Sequence, residues 1–186
     1  MNIIVRPSGS GSCYCRPDTT WEREGKDFYC PDNVTVIEWT PIVFARISKA
    51  GKCIGNKFAS RYYDSYGFGA LLYTGSGEIA FTSCTDHTSL LPFPLYNPVV
   101  LENEENTFEV RRNGDDLYII KGNGENLKKL MEESICLASA QTTLRIGDIV
   151  AAELEPRTGF AARNAVQTTL SARYCDNELF DIRIIF

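Results

Sequence analysis

Histidine is almost absent from this 186-residue chain: His87 is the only one. A single imidazole excludes any intrachain metal site that needs two, whether a His-rich zinc centre or a two-histidine carboxylate triad. Tight cysteine pairs are absent as well. Cys13, Cys15, Cys30, Cys53, Cys84, Cys136 and Cys175 are dispersed, with no C-x-x-C motif, and a structural zinc site usually draws on two such pairs. Seven is odd, so at least one thiol has no partner within the chain. A disulfide framework is not expected at this length without a secretory leader, and Met1–Val5 shows no basic region followed by a long apolar stretch. The cysteines read as reduced thiols packing like small hydrophobes in a cytoplasmic protein. No apolar run approaches the roughly 18–20 residues that a membrane helix needs. Positive charge is also in deficit, with 19 Lys and Arg against 24 Asp and Glu and a net charge of −5. That balance argues against a nucleic acid held mainly through its phosphates.

What is present suits a single soluble domain over residues 1–186, with 44% hydrophobic and 23% charged residues. Short strands are expected at Asp27–Cys30 and Val34–Ile37, around a Pro31-Asp32-Asn33 turn. Ile42–Ile47 is a β-branched apolar run that suits a buried strand. Lys57–Tyr66 has helical character and Phe68–Thr74 returns to strand. Pro92, Pro94 and Pro98 predict an extended stretch that is not helical. Glu102–Asn106 reads as a solvated acidic turn. Thr107–Arg111 and Leu117–Ile120 read as a hairpin around Asn113-Gly114. The clearest helix is Glu125–Ala140, where Leu127, Leu130, Met131, Ser134, Leu137 and Ala138 share one face behind Asn123 as a cap. Strands Ile149–Leu154, Val166–Arg173 and Leu179–Ile185 close the chain. Many strands with about two helices predict a β-rich α+β fold.

Chemistry is sparse in this pattern. Ser8–Ser12 reads Ser-Gly-Ser-Gly-Ser, but no Gly-Lys-Ser/Thr follows to make a phosphate loop. No G-x-S-x-G elbow is present. Asp86 and His87 place a carboxylate beside an imidazole, the elements of an oriented general base, although sequence neighbours in a strand point to opposite faces. Glu132-Glu133 and Asp115-Asp116 read as solvated pairs, and Tyr62, Tyr63, Tyr66 and Phe68 as core.

The order of segments adds a resemblance. Arg16-Pro17-Asp18-Thr19-Thr20, then Phe28-Tyr29-Cys30-Pro31-Asp32, then Ile47-Ser48-Lys49-Ala50-Gly51-Lys52-Cys53-Ile54 appear in sequence. Phe58-Ala59-Ser60-Arg61-Tyr62-Tyr63-Asp64 follows, and later Thr143-Leu144-Arg145-Ile146-Gly147-Asp148-Ile149 and Leu179-Phe180-Asp181-Ile182. The set resembles the fumarylacetoacetate hydrolase family, whose bacterial members carry K-P-D-T/S, F-x-I-P-D, R-I-x-K-x-G-K-x-I, F-A-H-R-Y-Y-D and T-L-K-x-G-D stretches in that order. The resemblance spans about Arg16–Phe186 and leaves 1–15 as a divergent, shortened N-terminal segment. It implies the β-roll of that family's C-terminal domain, built of mixed strands, and commonly a homodimer.

The resemblance also implies losses. The family's metal is Mg²⁺ or Ca²⁺, held by carboxylates of a Y-E-x-E stretch and a later aspartate. At those positions this chain has Thr40, Ile42 and Leu71, and Ser83 stands where the family has a lysine. Asp86 alone is kept from that last stretch, Ala152-Glu153-Leu154-Glu155 replaces a T-G-T-P loop, and no N-terminal histidine–glutamate pair is present. No cofactor is therefore expected. Carboxylates gathered around a metal repel one another once it is gone, and Ile42 and Leu71 remove that repulsion. The leading expectation is a catalytically inactive protein acting as a scaffold or small-ligand binder. A second is an active hydrolase, lyase or tautomerase on a small oxo-acid, with Asp86, His87, Glu153 and Glu155 as a relocated, metal-independent site. A third is a non-catalytic subunit paired with an active paralogue. No nucleic acid or membrane is expected as a partner.

Overall fold

Extended segments rich in Val, Ile, Thr and aromatic residues suit a pleated, half-buried surface, and they dominate the computed structural model. It describes every residue except Ser76 and Glu104, and Glu102 through its backbone alone. The acidic turn expected at Glu102–Asn106 therefore lies partly outside the described residues. In chain order the strands are β1 (Ile3–Arg6), β2 (Tyr14–Arg16), β3 (Trp21–Glu22), β4 (Phe28–Tyr29), β5 (Val36–Ile47), β6 (Tyr63–Thr74), β7 (Ser89–Leu90), β8 (Thr107–Arg112), β9 (Asp115–Lys121), β10 (Ile149–Glu153), β11 (Thr158–Ala162), β12 (Thr168–Tyr174) and β13 (Asn177–Ile185). Helix α1 is a single turn (Ile79–Thr82), and α2 spans Gly124–Gln141.

Among the described residues these strands form two mixed sheets. The larger has the order β2-β1-β10-β5-β6-β7-β3, with β11 also on β5; the smaller runs β4-β13-β12-β8-β9. The result is the β-rich α+β architecture expected. One face of the larger sheet contributes Trp39, Val43, Phe68 and Leu72 to the main core, together with Phe108, Leu170 and Ile182 of the smaller sheet and Met131 and Ile135 of α2. The other face carries a smaller buried cluster that includes Ile3, Val5, Ile42, Phe44, Leu71 and Tyr73. No helix among the described residues is long and apolar enough to cross a membrane.

Strand β5 is the spine of the larger sheet. It pairs β6 along its whole length on one side. On the other side β11 pairs Val36–Trp39 and β10 pairs Ile42–Arg46. Pro41 falls between these two partners, where its missing N–H interrupts neither ladder. Its carbonyl accepts from the Leu154 N–H on that same side, at 2.9 Å. The strands expected separately at Val34–Ile37 and Ile42–Ile47 are thus parts of one, because proline is tolerated where a strand changes partners.

Other expectations are corrected. Lys57–Tyr66 is not an α-helix: a 3₁₀ segment spans Asn56–Arg61, and β6 has begun by Tyr63. Tyr63, Ser65 and Tyr66 pair with Ile47, Arg46 and Ala45, so sheet pairing overrides the local pattern. The Pro-rich stretch ends in a 3₁₀ turn at Pro98–Glu102, entered through Asn97, whose Oδ1 accepts from the Val99 N–H at 3.0 Å. Asn123 does precede α2, but its side chain accepts from the Asn126 amide and caps no backbone N–H. Glu133 is not merely solvated, since its carboxylate meets Arg6 Nη1 at 3.2 Å. Strands β1, β2, β3, β7 and β11 were not expected. All seven cysteines are free.

Gly69 of β6 gives the packing a test. A Cβ there would lie inside the van der Waals shell of the Leu90 carbonyl oxygen on β7, whereas one on Gly159 of β11 would meet nothing within 4 Å. We expect Gly69→Ala to cost about 3 kcal/mol, at the upper end of overpacking penalties, and Gly159→Ala to be near neutral. Urea denaturation of the two variants measures the difference.

Candidate functional site

Side chains alternate between the faces of a strand, so Glu38, Thr40, Ile42 and Phe44 share one face of β5. Across β6, Thr40 is the direct partner of Leu71, Ile42 of Gly69, and Glu38 of Tyr73. Across β10, Ile42 is the partner of Glu153. Thr40, Ile42 and Leu71, the three positions where the resemblance implies lost metal ligands, therefore form one patch. All three are fully buried. Thr40 Oγ1 donates to the Glu155 carbonyl at 2.6 Å, so its hydroxyl is already committed.

A polar network lies over this patch. Tyr73 Oη donates to Glu153 Oε1 at 2.5 Å. Since β5 lies between β6 and β10, with strands about 4.8 Å apart, this hydrogen bond spans β5. The Tyr14 hydroxyl sits 2.5 Å from that of Tyr73. With the Tyr73 proton committed to Glu153, Tyr14 is the donor in that second bond. The other oxygen of Glu153 accepts from the Ser8 N–H at 3.1 Å, in the Ser8–Ser12 turn. Two guanidinium groups border the same ring: Arg16 at 4.9 Å and Arg157 at 4.8 Å from the Tyr73 centroid. Arg16 Nη2 donates to the Leu72 carbonyl at 2.9 Å and to Thr88 Oγ1 at 2.7 Å. Arg157 Nη1 lies 3.8 Å from Glu38 and donates to Thr82 Oγ1 at 3.4 Å.

Burial raises the pKa of Glu153, with Tyr73, the Ser8 N–H and the two arginines partly opposing it. Burial also raises Tyr14, and it raises Tyr73 further, beside Tyr14 and Glu153. Both hydroxyls remain protonated donors.

The remaining sequence candidates are dispersed. Ser83 is buried at the end of α1, where its hydroxyl donates to the Ile79 carbonyl. Asp86 is exposed. His87 has a positive φ of 60° and turns to Glu22, with Nδ1 2.9 Å from Oε2. Its side chain is 61% exposed, while that of Glu22 is 5% exposed. Glu155 is exposed. Glu153 alone of the four lies in the polar network. Tyr14, Tyr73 and Arg157 were missed by the sequence reading, and Arg16 entered it only as the start of a motif. Their contacts join residues 59 to 80 positions apart, so no local spacing marks them.

These residues do not fit a divalent cation. Hard ions such as Mg²⁺ and Ca²⁺ take clustered oxygen ligands. Among the described residues no group of three or more His, Cys, Asp or Glu comes together. At the patch itself a threonine committed to a carbonyl, an isoleucine and a leucine stand instead, and the nearest charges include two cations.

No family model and no curated protein matches the sequence. Solved structures match the fold closely. Fumarylpyruvate hydrolase from Pseudomonas aeruginosa, in complex with Mn²⁺ and pyruvate, gives a TM-score of 0.76 at 14% identity, over 100% of this chain and 90% of that one. Maleylpyruvate hydrolase from Sphingobium sp. SYK-6 gives 0.74 at 14%, over 99% and 70%. The 5-carboxymethyl-2-hydroxymuconate delta-isomerase from Mycobacterium smegmatis gives 0.76 at 12%, over 99% and 78%. At such identities the likeness is one of fold.

The raised pKa of Glu153 sets a sign for pH dependence. Between its ordinary value of 4.5 and its folded value, the native state binds the proton that the unfolded state has released. Stability contributed by the protonated form is complete at the acid end and is lost as pH rises through the folded value. We expect Glu153→Gln to gain stability relative to the unsubstituted protein as pH rises above 4.5. Urea midpoints at successive pH values measure this, and a difference independent of pH would refute it.

Proposed function

We propose that this chain, which has the fold of fumarylacetoacetate hydrolase family structures, carries out no metal-dependent hydrolysis and acts as a small-ligand-binding protein. One observation carries this reading. Thr40, Ile42 and Leu71 lie together on a buried face with no carboxylate among them, while the polar groups beside them are tied to one another. Ile42 and Leu71 have no lone pairs to offer a metal, and the Thr40 hydroxyl carries no charge and is bonded to the Glu155 carbonyl. The neighbouring cluster of two arginines, two tyrosines and a glutamate keeps the means to recognise a ligand by charge and hydrogen bonding.

The reading of an active, relocated site has less support. It requires Asp86, His87, Glu153 and Glu155 to act together, whereas His87 turns to Glu22 and Glu153 to Tyr73. A second copy of the chain is the partner that the resemblance leads us to propose.

Titration with Mn²⁺ tests the proposal. An ion bound at micromolar Kd adds about 4 kcal/mol of stability at 1,000 times that concentration. We expect no change in thermal midpoint with millimolar Mn²⁺ or Mg²⁺, and no turnover of fumarylpyruvate in its presence. Saturable stabilisation at micromolar Mn²⁺, or metal-dependent hydrolysis, sinks this reading.

A further inference from the structure

Between Arg46 and Tyr62 the chain carries five cations, Arg46, Lys49, Lys52, Lys57 and Arg61, and no carboxylate, although acids outnumber bases over the whole sequence. All five are exposed, as is Arg145. Among the described residues only Arg46 of these six meets a carboxylate within ion-pair distance, Asp64 at 3.7 Å. Backbone hydrogen bonds tie the segments that carry them into one surface. Gly51 and Leu144 exchange N–H donors at 3.0 and 2.8 Å, the Gly147 N–H donates to the Ile47 carbonyl at 2.8 Å, and the Ser48 N–H donates to the Tyr62 carbonyl at 2.9 Å. Arg46, Asp64 and Ile146 border one shallow depression. Asp148, the remaining acid of these segments, is buried and turned inward, accepting from the N–H groups of Asn2 and Arg145 at 2.8 Å each.

Two large apolar side chains stand among these cations. Ile146 is 73% exposed, next to Arg145, on a turn closed by the Asp148 N–H on the Arg145 carbonyl at 3.0 Å. Phe58 is 40% exposed. Lys57 Nζ lies 4.9 Å from its ring centroid and Arg61 Cζ 5.3 Å.

We propose that this face docks reversibly on an anionic lipid surface. Such a surface attracts exposed Lys and Arg, and apolar tips flanked by cations enter the boundary between headgroups and acyl chains. The cations here supply the first contact, and Ile146 and Phe58 the second. The pattern favours lipid over nucleic acid. An aliphatic tip gains nothing from a phosphate backbone. The aromatic rings are also engaged by cations of their own chain, Phe58 by Lys57 and Arg61, and Tyr62 by Lys49 at 5.3 Å, where a stacking base would need an open ring face. The net charge of −5 does not oppose docking, because charges more than about 8 Å away are largely screened at physiological ionic strength. A membrane partner was not expected because no long apolar run is present; docking of this kind needs none.

Co-sedimentation of the full chain with phosphatidylcholine vesicles, with and without phosphatidylserine, tests this at an ionic strength of about 0.15 M. The chain is expected to sediment with the serine-containing vesicles alone, and to be released at about 1 M salt, where screening is far shorter in range. Loss of one cation, in Lys52→Gln or Lys57→Gln, is expected to weaken partition about fivefold. Ile146→Ser is expected to weaken it while leaving its salt dependence unchanged, because it removes an apolar contact and no charge. All three positions are exposed, so thermal midpoints close to that of the unsubstituted protein are expected. Equal binding to phosphatidylcholine alone, no binding to either vesicle, or unchanged partition in all three variants overturns the proposal. So does a preference for a duplex DNA oligonucleotide over the vesicles, which assigns the face to nucleic acid instead.

Discussion

The hydrogen bond from Tyr73 to Glu153 is the constraint around which the site is arranged. It joins two strands that are not neighbours, across a stretch of β5 where Thr40 and Ile42 carry no charge and Glu38, further along the same face, has Arg157 near by. Leu71, across from Thr40, carries none either. A carboxylate at any of these three neutral positions would sit beneath Glu153 in a low-dielectric setting, where like charges are costly. The neutral patch and the polar bridge above it are therefore mutually dependent, and a change to one alters the environment of the other.

This dependence separates what the sequence makes legible from what it does not. The long strands, the hairpin β8–β9 and helix α2 follow from local periodicity, because the apolar face of each is written within a few residues. The larger sheet's spine is less legible, since Pro41 reads as a break until its position between β11 and β10 is known. The error over Lys57–Tyr66 has the same origin: the aromatic residues after Arg61 belong to a strand whose partner lies earlier in the chain. At the site, Thr40, Ile42 and Leu71 were singled out through the ordered motifs, and they do lie together on one buried face. The network that accompanies them was not, because Tyr14 and Arg16 come from β2, Tyr73 from β6, Glu153 from β10 and Arg157 from the loop after it. Nothing in the neighbourhood of any one of them distinguishes it from an ordinary strand or loop residue.

The charges around the patch are those of Arg16, Arg157, Glu38 and Glu153. In an oxygen-lined metal centre, a divalent ion supplies the positive charge and several carboxylates surround it. Here the positive charges beside the patch are guanidinium groups. Arg157 has Glu38 near by, while Arg16 is held by the Leu72 carbonyl and the Thr88 hydroxyl. Guanidinium groups keep their charge at any working pH and spread it over a plane. The lone histidine fits this arrangement, since His87 serves a surface pair with Glu22 and contributes nothing to the buried cluster.

The break in pairing at Pro41 has a consequence for how such a site changes over time. Because β10 and β11 occupy different lengths of β5, the segment between them crosses the edge of the spine without belonging to a ladder. Glu155 and Arg157 lie in that segment. Leu154 and Glu155 anchor the segment to Pro41 and Thr40 of the spine, whereas Arg157 meets Glu38 and the Tyr73 ring through its side chain. The sheet thus has a place, at Arg157, where a side chain can be exchanged without touching the ladder of either strand.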